Sequence, residues 1–269
     1  MKITRAEHLG MCFGVRDAIG LALKKASQEP LTILGELVHN ENVIDSLRRK
    51  GIRIEPRVEN VDTRTAMITA HGASDAAISR ARERGLNVVQ ATCPLVHFAH
   101  RAIAQLVREG YHPVIVGKRD HVEVRGIIED LATYDVVLSE ADVAKLSEHS
   151  RFGVVAQTTQ PVEKVNHLVS LIRQRFPHAE VRLTDTVCQP TKQRQNSAAE
   201  LAQSCDTVVV VGGANSNNTR ELVATCRRYC ARVFHVQTAA DLQPDWFDAA
   251  ETVGITAGTS TPDAIIDEV

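Results

Sequence analysis

Residues 207–218 read TVVVVGGANSNN. The β-branched run 207–211 has the composition of a strand, and the small and polar residues behind it have that of a loop at the strand's carboxyl end. The same succession recurs along the chain. Strand-like runs lie at 31–34, 66–70, 87–91, 113–116, 135–138, 153–156, 181–184, 207–211, 233–236 and 252–256, and helical segments follow most of them. Over 41–50, Val43, Ile44 and Leu47 share one face, Asn40 is placed to cap the start and Gly51 to close the end. Residues 74–84, stopped by Gly85, repeat the design. Short strands alternating with amphipathic helices predict an α/β fold built on parallel sheets.

The residues at the strand ends carry the functional information. In order they present His39, His71, Cys93, Thr158, Cys188, Ser216 with Asn217 and Asn218, and Ser260. Open parallel sheets bind ligands at the carboxyl ends of their strands, so this recurrence predicts many strands feeding one shared crevice. Between two strand-like runs, His121, Val122, Glu123 and Val124 alternate polar and apolar. That pattern predicts an extended segment with His121 and Glu123 facing the same way.

Composition excludes several classes. The chain has 269 residues, 43% of them hydrophobic and 24% charged, which suits a globular protein with a real core. Thirty-one Lys and Arg against 33 Asp and Glu leave a net charge of −2, and there are only 6 Phe, 3 Tyr and 1 Trp. Neither the field nor the stacking surface of a nucleic-acid binder is present. The longest aliphatic run, 208–211, is far short of a membrane span, and residues 1–20 lack the apolar stretch of a signal peptide, so a cytoplasmic location is expected. No G-x-G-x-x-G or P-loop motif occurs, which leaves out a bound dinucleotide or ATP.

Six cysteines stand at 12, 93, 188, 205, 226 and 230, too sparse for a disulfide scaffold. Cys12, Cys93 and Cys188 are nearly evenly spaced, and each lies beside an expected helix start; Pro94 follows Cys93, and Pro190 stands two residues after Cys188. The positive end of a helix favours the thiolate, the form that binds metal. The closely spaced pairs of zinc sites and bacterial ferredoxins are absent, and the near-equal spacing would fit one ligand from each of three similar lobes. Three ligands on a four-iron cube would leave one iron open to substrate. Cys205, Cys226 and Cys230 are expected to be structural.

Taken in order, GMC12FGV, LVH39N, AH71G, ATC93PLV, H121VE123V, QT158T, DTVC188, N215SNN218 and TAGTS260 resemble 4-hydroxy-3-methylbut-2-enyl diphosphate reductase, the last enzyme of the methylerythritol phosphate route to isoprenoids. The resemblance covers nearly the whole chain. It implies three similar α/β lobes in pseudo-threefold arrangement around a central cleft: residues 13–93, residues 94–185, and residues 186–269 together with 1–12. It also implies a 4Fe-4S cluster on Cys12, Cys93 and Cys188. His39, His71, His121, Thr158, Ser216, Asn217, Asn218 and Ser260 would bind the allylic diphosphate, with Glu123 as proton donor and Thr158 bridging it to the substrate hydroxyl. Where many members carry paired serines this chain has Ser216-Asn217, and Gln189-Pro190 replaces an aromatic and a small residue after the third cysteine. Electrons would come from a small protein carrier, a ferredoxin or a flavodoxin. Two other readings of a three-cysteine cluster remain open on sequence: a Lewis-acid dehydratase and a non-catalytic cluster sensor.

Overall fold

The computed structural model describes residues 1–269. The chain opens with β1 (Lys2–Arg5) and α1 (Phe13–Ala26), then β2 (Leu31–Leu34), α2 (Glu41–Arg49), β3 (Arg53–Glu55), β4 (Thr65–Ile68), α3 (Asp75–Glu83), β5 (Asn87–Gln90) and α4 (Pro94–Arg108). Next come β6 (His112–Val116), α5 (Val122–Ile128), β7 (Asp135–Val137), α6 (Glu140–Val143), β8 (Arg151–Ala156), α7 (Val162–Arg175), β9 (Glu180–Leu183) and α8 (Gln189–Gln203). The last segment holds β10 (Thr207–Val211), α9 (Asn217–Arg227), β11 (Arg232–Val236), β12 (Thr252–Ala257) and α10 (Asp263–Glu268).

The strands form three four-stranded, wholly parallel sheets ordered β3-β2-β4-β5, β7-β6-β8-β9 and β11-β10-β12-β1. All three have one plan: second strand, first, third, fourth. In the last sheet the fourth place is taken by β1, from the beginning of the chain. Each lobe therefore has its strand order reversing between its first and third strands, the switch point where loops diverge and open a crevice.

By its internal contacts the chain divides into two compact units, Met1–Ile19 with Val38–Gly51 and Gln189–Val269, and Gly20–Leu37 with Ile52–Cys188. The first holds the sheet of β10, the second the other two. The core of the first unit is aliphatic: Val208 and Val210 pack with Leu201 and Leu222 on one face of the sheet, while Val209, Val211 and Ile255 pack with Ile266 on the other. In the second unit Phe152, Val154 and Ile172 fill one face of the β8 sheet, and Ile115 and Val155 meet Ile103 and Ile127 of the helices on the other. Faces buried on both sides are why these strands read as unbroken apolar runs.

The capped helices form as expected. Asn40 accepts from the Val43 N–H at the head of α2, Ser74 accepts from Ala77 at the head of α3, and Gly51 and Gly85 follow those helices with φ near +80°. Two strands escape the sequence reading, β1 (KITR) and β3 (RIE), both short and polar edge strands.

Candidate functional site

The lobes place their loops at equivalent positions. A glycine follows each first strand: Gly35 after β2, Gly117 after β6 and Gly212 after β10. At Gly117 a Cβ would stand 2.8 Å from Val124 Cγ2 and 2.9 Å from Gln157 Cβ, so the backbone comes closer there than any side chain permits. Each of these loops then enters a helix: Asn40 caps α2 just after His39, His121 itself caps α5, and Ser216 caps α9.

The third strands end in loops carrying His71, Thr158 and Ser260, and the loops after the fourth strands carry Cys93, Cys188 and Cys12. One hydrogen bond repeats in all three lobes. The backbone N–H of Cys93 donates to the Ala70 carbonyl, that of Cys188 to Thr158 and that of Cys12 to Thr259, at 3.0 Å each time. Ala70, Thr158 and Thr259 all stand two residues past the end of their strands. This threefold equivalence is the physical content of the even spacing of the cysteines, and it sets them apart from the other three.

Each of these cysteines also immediately precedes a helix: Cys12 before α1, Cys93 as the cap of α4 with Pro94 in its first turn, and Cys188 before α8. All three are partly exposed. Positive helix ends and a path to solvent suit thiolate ligands. By contrast Cys226 is fully buried against the Ala198 carbonyl, and burial, with Cys230 a smaller cause, pushes its thiol up to about 12. Cys205 is raised by burial as well. Such thiols are inert small hydrophobes. Sulfur donors such as Cys12, Cys93 and Cys188 are the soft ligands that iron-sulfur clusters take.

In the second unit the remaining groups form a connected chain. The His71 and His121 rings meet edge to face with centroids 5.6 Å apart. His121 Nδ1 accepts from the Glu123 N–H at 3.2 Å, which leaves the ring proton on Nε2, directed away from the cap. Glu123, 1% exposed, accepts from the Thr158 N–H at 2.6 Å on Oε1 and from the Thr158 hydroxyl at 2.9 Å on Oε2. Burial raises its carboxyl to about 7, against the lowering effect of these two bonds.

The extended reading of 121–124 is overturned. His121 is a helix cap and Glu123 lies in the first turn of α5, where the helix dipole favours an acidic side chain. The Val-Glu-Val alternation imitated a strand because α5 is short, its buried residues including Val124, Gly126 and Ile127 beside Glu123 itself. The Thr158 hydroxyl donates to Glu123 Oε2, the one arm of the bridge implied by the resemblance that lies within the protein.

In the first unit, Asn218 Oδ1 accepts from the Thr259 N–H at 2.9 Å, so its amide nitrogen faces the other way, buried and without a partner. An orphaned buried donor carries a desolvation cost that an anion would remove. The Ser216 oxygen accepts from Thr219 N–H, leaving its proton available, while the Ser260 hydroxyl donates to the His39 carbonyl at 3.2 Å. Asn217 is buried at the head of α9, at the positive end of that helix. Sequence reasoning passed over Gln157, a wholly buried amide that gave no signal beyond its place next to Thr158.

Three lobes of four parallel strands, each with a cysteine at a helix start after its fourth strand, define a class of three-lobed parallel α/β proteins. The chain belongs to the LytB protein family, whose model matches residues 3–269. It is 40% identical to the 4-hydroxy-3-methylbut-2-enyl diphosphate reductase of Pelobacter propionicus, over 100% of this chain and 96% of that protein. It is 38% identical to the enzyme of the same name from Aquifex aeolicus, over 98% and 93%. A solved structure of the Plasmodium falciparum reductase aligns with a TM-score of 0.94 and 26% identity over 99% of this chain and 86% of that one. A second, described as the terminal enzyme of the non-mevalonate pathway, aligns with a TM-score of 0.70 and 37% identity, over 100% and 97%. Family membership implies an iron-sulfur cluster, and no helix is long and apolar enough to cross a membrane.

Proposed function

We propose that the chain reduces 4-hydroxy-3-methylbut-2-enyl diphosphate to isopentenyl and dimethylallyl diphosphate, removing the allylic hydroxyl as water with two electrons and two protons. The observation that carries this reading is the run of direct contacts joining a buried acid, Glu123, through Thr158 to the backbone of Cys188. Cys12, Cys93 and Cys188 would hold a 4Fe-4S cluster, which when bound supplies the electrons and an iron site open to the substrate. The lobes would comprise 13–93, 94–185, and 186–269 with 1–12.

The chain's own residues handle the anion and the protons. His39, His71, His121, Ser216, Asn217, Asn218 and Ser260 would bind the diphosphate, with the Asn218 amide and His121 Nε2–H as donors. With Oε1 accepting the Thr158 N–H, Glu123 takes its proton on Oε2, which reverses the bond that the carboxylate accepts from the Thr158 hydroxyl. From there it is donated to Thr158 Oγ1, whose own proton is donated to the allylic oxygen, so that the hydroxyl leaves as water and Glu123 is left as carboxylate. With no nucleotide motif in the chain, the electrons come from a ferredoxin or flavodoxin in a reducing cytoplasm.

The test is anaerobic purification followed by an assay with 4-hydroxy-3-methylbut-2-enyl diphosphate and a reduced dye. Consumption of dye with formation of both products supports the reading. A stable cluster without turnover overturns it. For the anion site, His39→Ala and Asn218→Ala are each expected to weaken substrate binding about tenfold or more, since charge-assisted hydrogen bonds contribute roughly 1.5–3 kcal/mol. Iron content should stay at the wild-type level, and free diphosphate should compete with substrate. Unchanged affinity in both variants would remove these residues from the site.

A further inference from the structure

We propose that Gln157 is a positioning residue for proton delivery, holding the loop that carries His121 and Glu123 in register with the loop that carries Thr158. The proposal rests on the reading of Glu123 as proton donor and extends it. Gln157 is wholly buried at the end of β8, and its amide bonds on both sides. Its Oε1 accepts from the Lys118 N–H at 3.1 Å, across the switch point, and from Gln160 Nε2 at 3.2 Å. Its Nε2 donates to Thr159 Oγ1 at 3.0 Å.

These bonds close a ring. Lys118, held through its N–H by Gln157, accepts through its carbonyl from the His121 N–H at 2.9 Å. His121 accepts from the Glu123 N–H, Glu123 accepts from Thr158, and Thr158 is covalently next to Gln157. Gly117 lets the two loops meet, since a side chain there would strike Gln157 and Val124 together. The relay from Glu123 Oε2 to Thr158 Oγ1 joins the first turn of α5 to the loop after β8, and a misplacement of about 1 Å between them breaks it.

The other lobes have no such tie. Thr69 and Gly258 hold the place of Gln157, one residue past their third strands, and the Thr69 hydroxyl has no partner. The amide therefore stands only in the lobe that carries the acid. A general packing need of the fold would recur in all three.

The experiment is a double-mutant cycle on cluster-loaded enzyme, measuring kcat, KM, iron content and melting temperature for Gln157→Leu, Glu123→Gln and the pair. Gln157→Leu is expected to lower kcat roughly 10- to 100-fold with KM and iron content near wild type. Added to Glu123→Gln it should cost less than about twofold more, because a positioning residue has nothing left to position. Thr159→Val, which removes one partner of the amide, should give a smaller kcat loss that is likewise silent in the Glu123→Gln background, and it serves if Gln157→Leu does not fold. Additive losses, or a normal kcat in both single variants of the tie, overturn the proposal. A normal kcat in Glu123→Gln alone overturns the underlying assignment of the acid instead.

Discussion

Glu123→Gln is expected to slow turnover at least about a hundredfold while leaving iron content and substrate affinity near wild type. The amide keeps the shape of the carboxyl, accepts from the Thr158 N–H and donates to the Thr158 hydroxyl, so the loops stay in place. It has no acidic proton to give, and general acid catalysis is typically worth about 10²–10⁴. Steady-state kinetics on preparations with matched iron content decide the matter. Near-normal turnover would assign the proton to another group.

The same residue gives a pH prediction with a definite sign. Burial raises the Glu123 carboxyl from 4.5 to about 7, so the protonated form is the one the fold favours. Its contribution to stability is fully present below the unfolded value and is lost as pH rises through about 7. The linked energy is on the order of 3 kcal/mol. Wild-type protein should thus lose melting temperature between pH 5 and pH 8 relative to Glu123→Gln, whose side chain does not titrate. Wild-type turnover should fall on the alkaline side of about 7 as the proton donor empties. Parallel melting curves for the two proteins would refute the buried-acid assignment.

Most strands were legible because burial on both faces requires apolar runs, and the run 207–211 coincides with β10. The missed β1 and β3 lie at sheet edges, where one side of the backbone meets solvent and Lys2, Arg5 or Arg53 serves as well as valine. Their loss had a cost. Without β1 the third sheet has only three strands, and Cys12 is grouped with Cys93 and Cys188 by spacing and helix start alone, not by its place after a fourth strand. The positions of the reactive side chains along the chain were legible because they follow strand ends, whereas their orientation was not. His121 and Glu123 show why: whether they share a strand face or make a helix cap depends on a turn begun at Gly117, which must lack a side chain because Val124 and Gln157, the latter far along the sequence, crowd it.

Serine substitution at Cys12, Cys93 or Cys188 should abolish most iron and sulfide binding and most turnover, while the same change at Cys205, Cys226 or Cys230 should leave iron per folded chain unchanged. Each of the first three carries the repeated backbone bond to the residue two past a third strand, and each immediately precedes a helix. Losing an outer partner of a metal ligand typically costs about 10- to 100-fold, so losing a ligand from a set of three should exceed that. The buried cysteines pay in another way. Cys226 and Cys230 pack within the apolar core of the β10 sheet, and serine there exchanges a soft sulfur for a hydroxyl that must be desolvated. Their variants should melt lower yet hold the cluster. Six variants prepared without air, assayed for iron, sulfide, turnover and melting temperature, separate the two groups. Iron loss at Cys205, Cys226 or Cys230 equal to that at the other three would show that the equivalence of the lobes is not what selects the ligands.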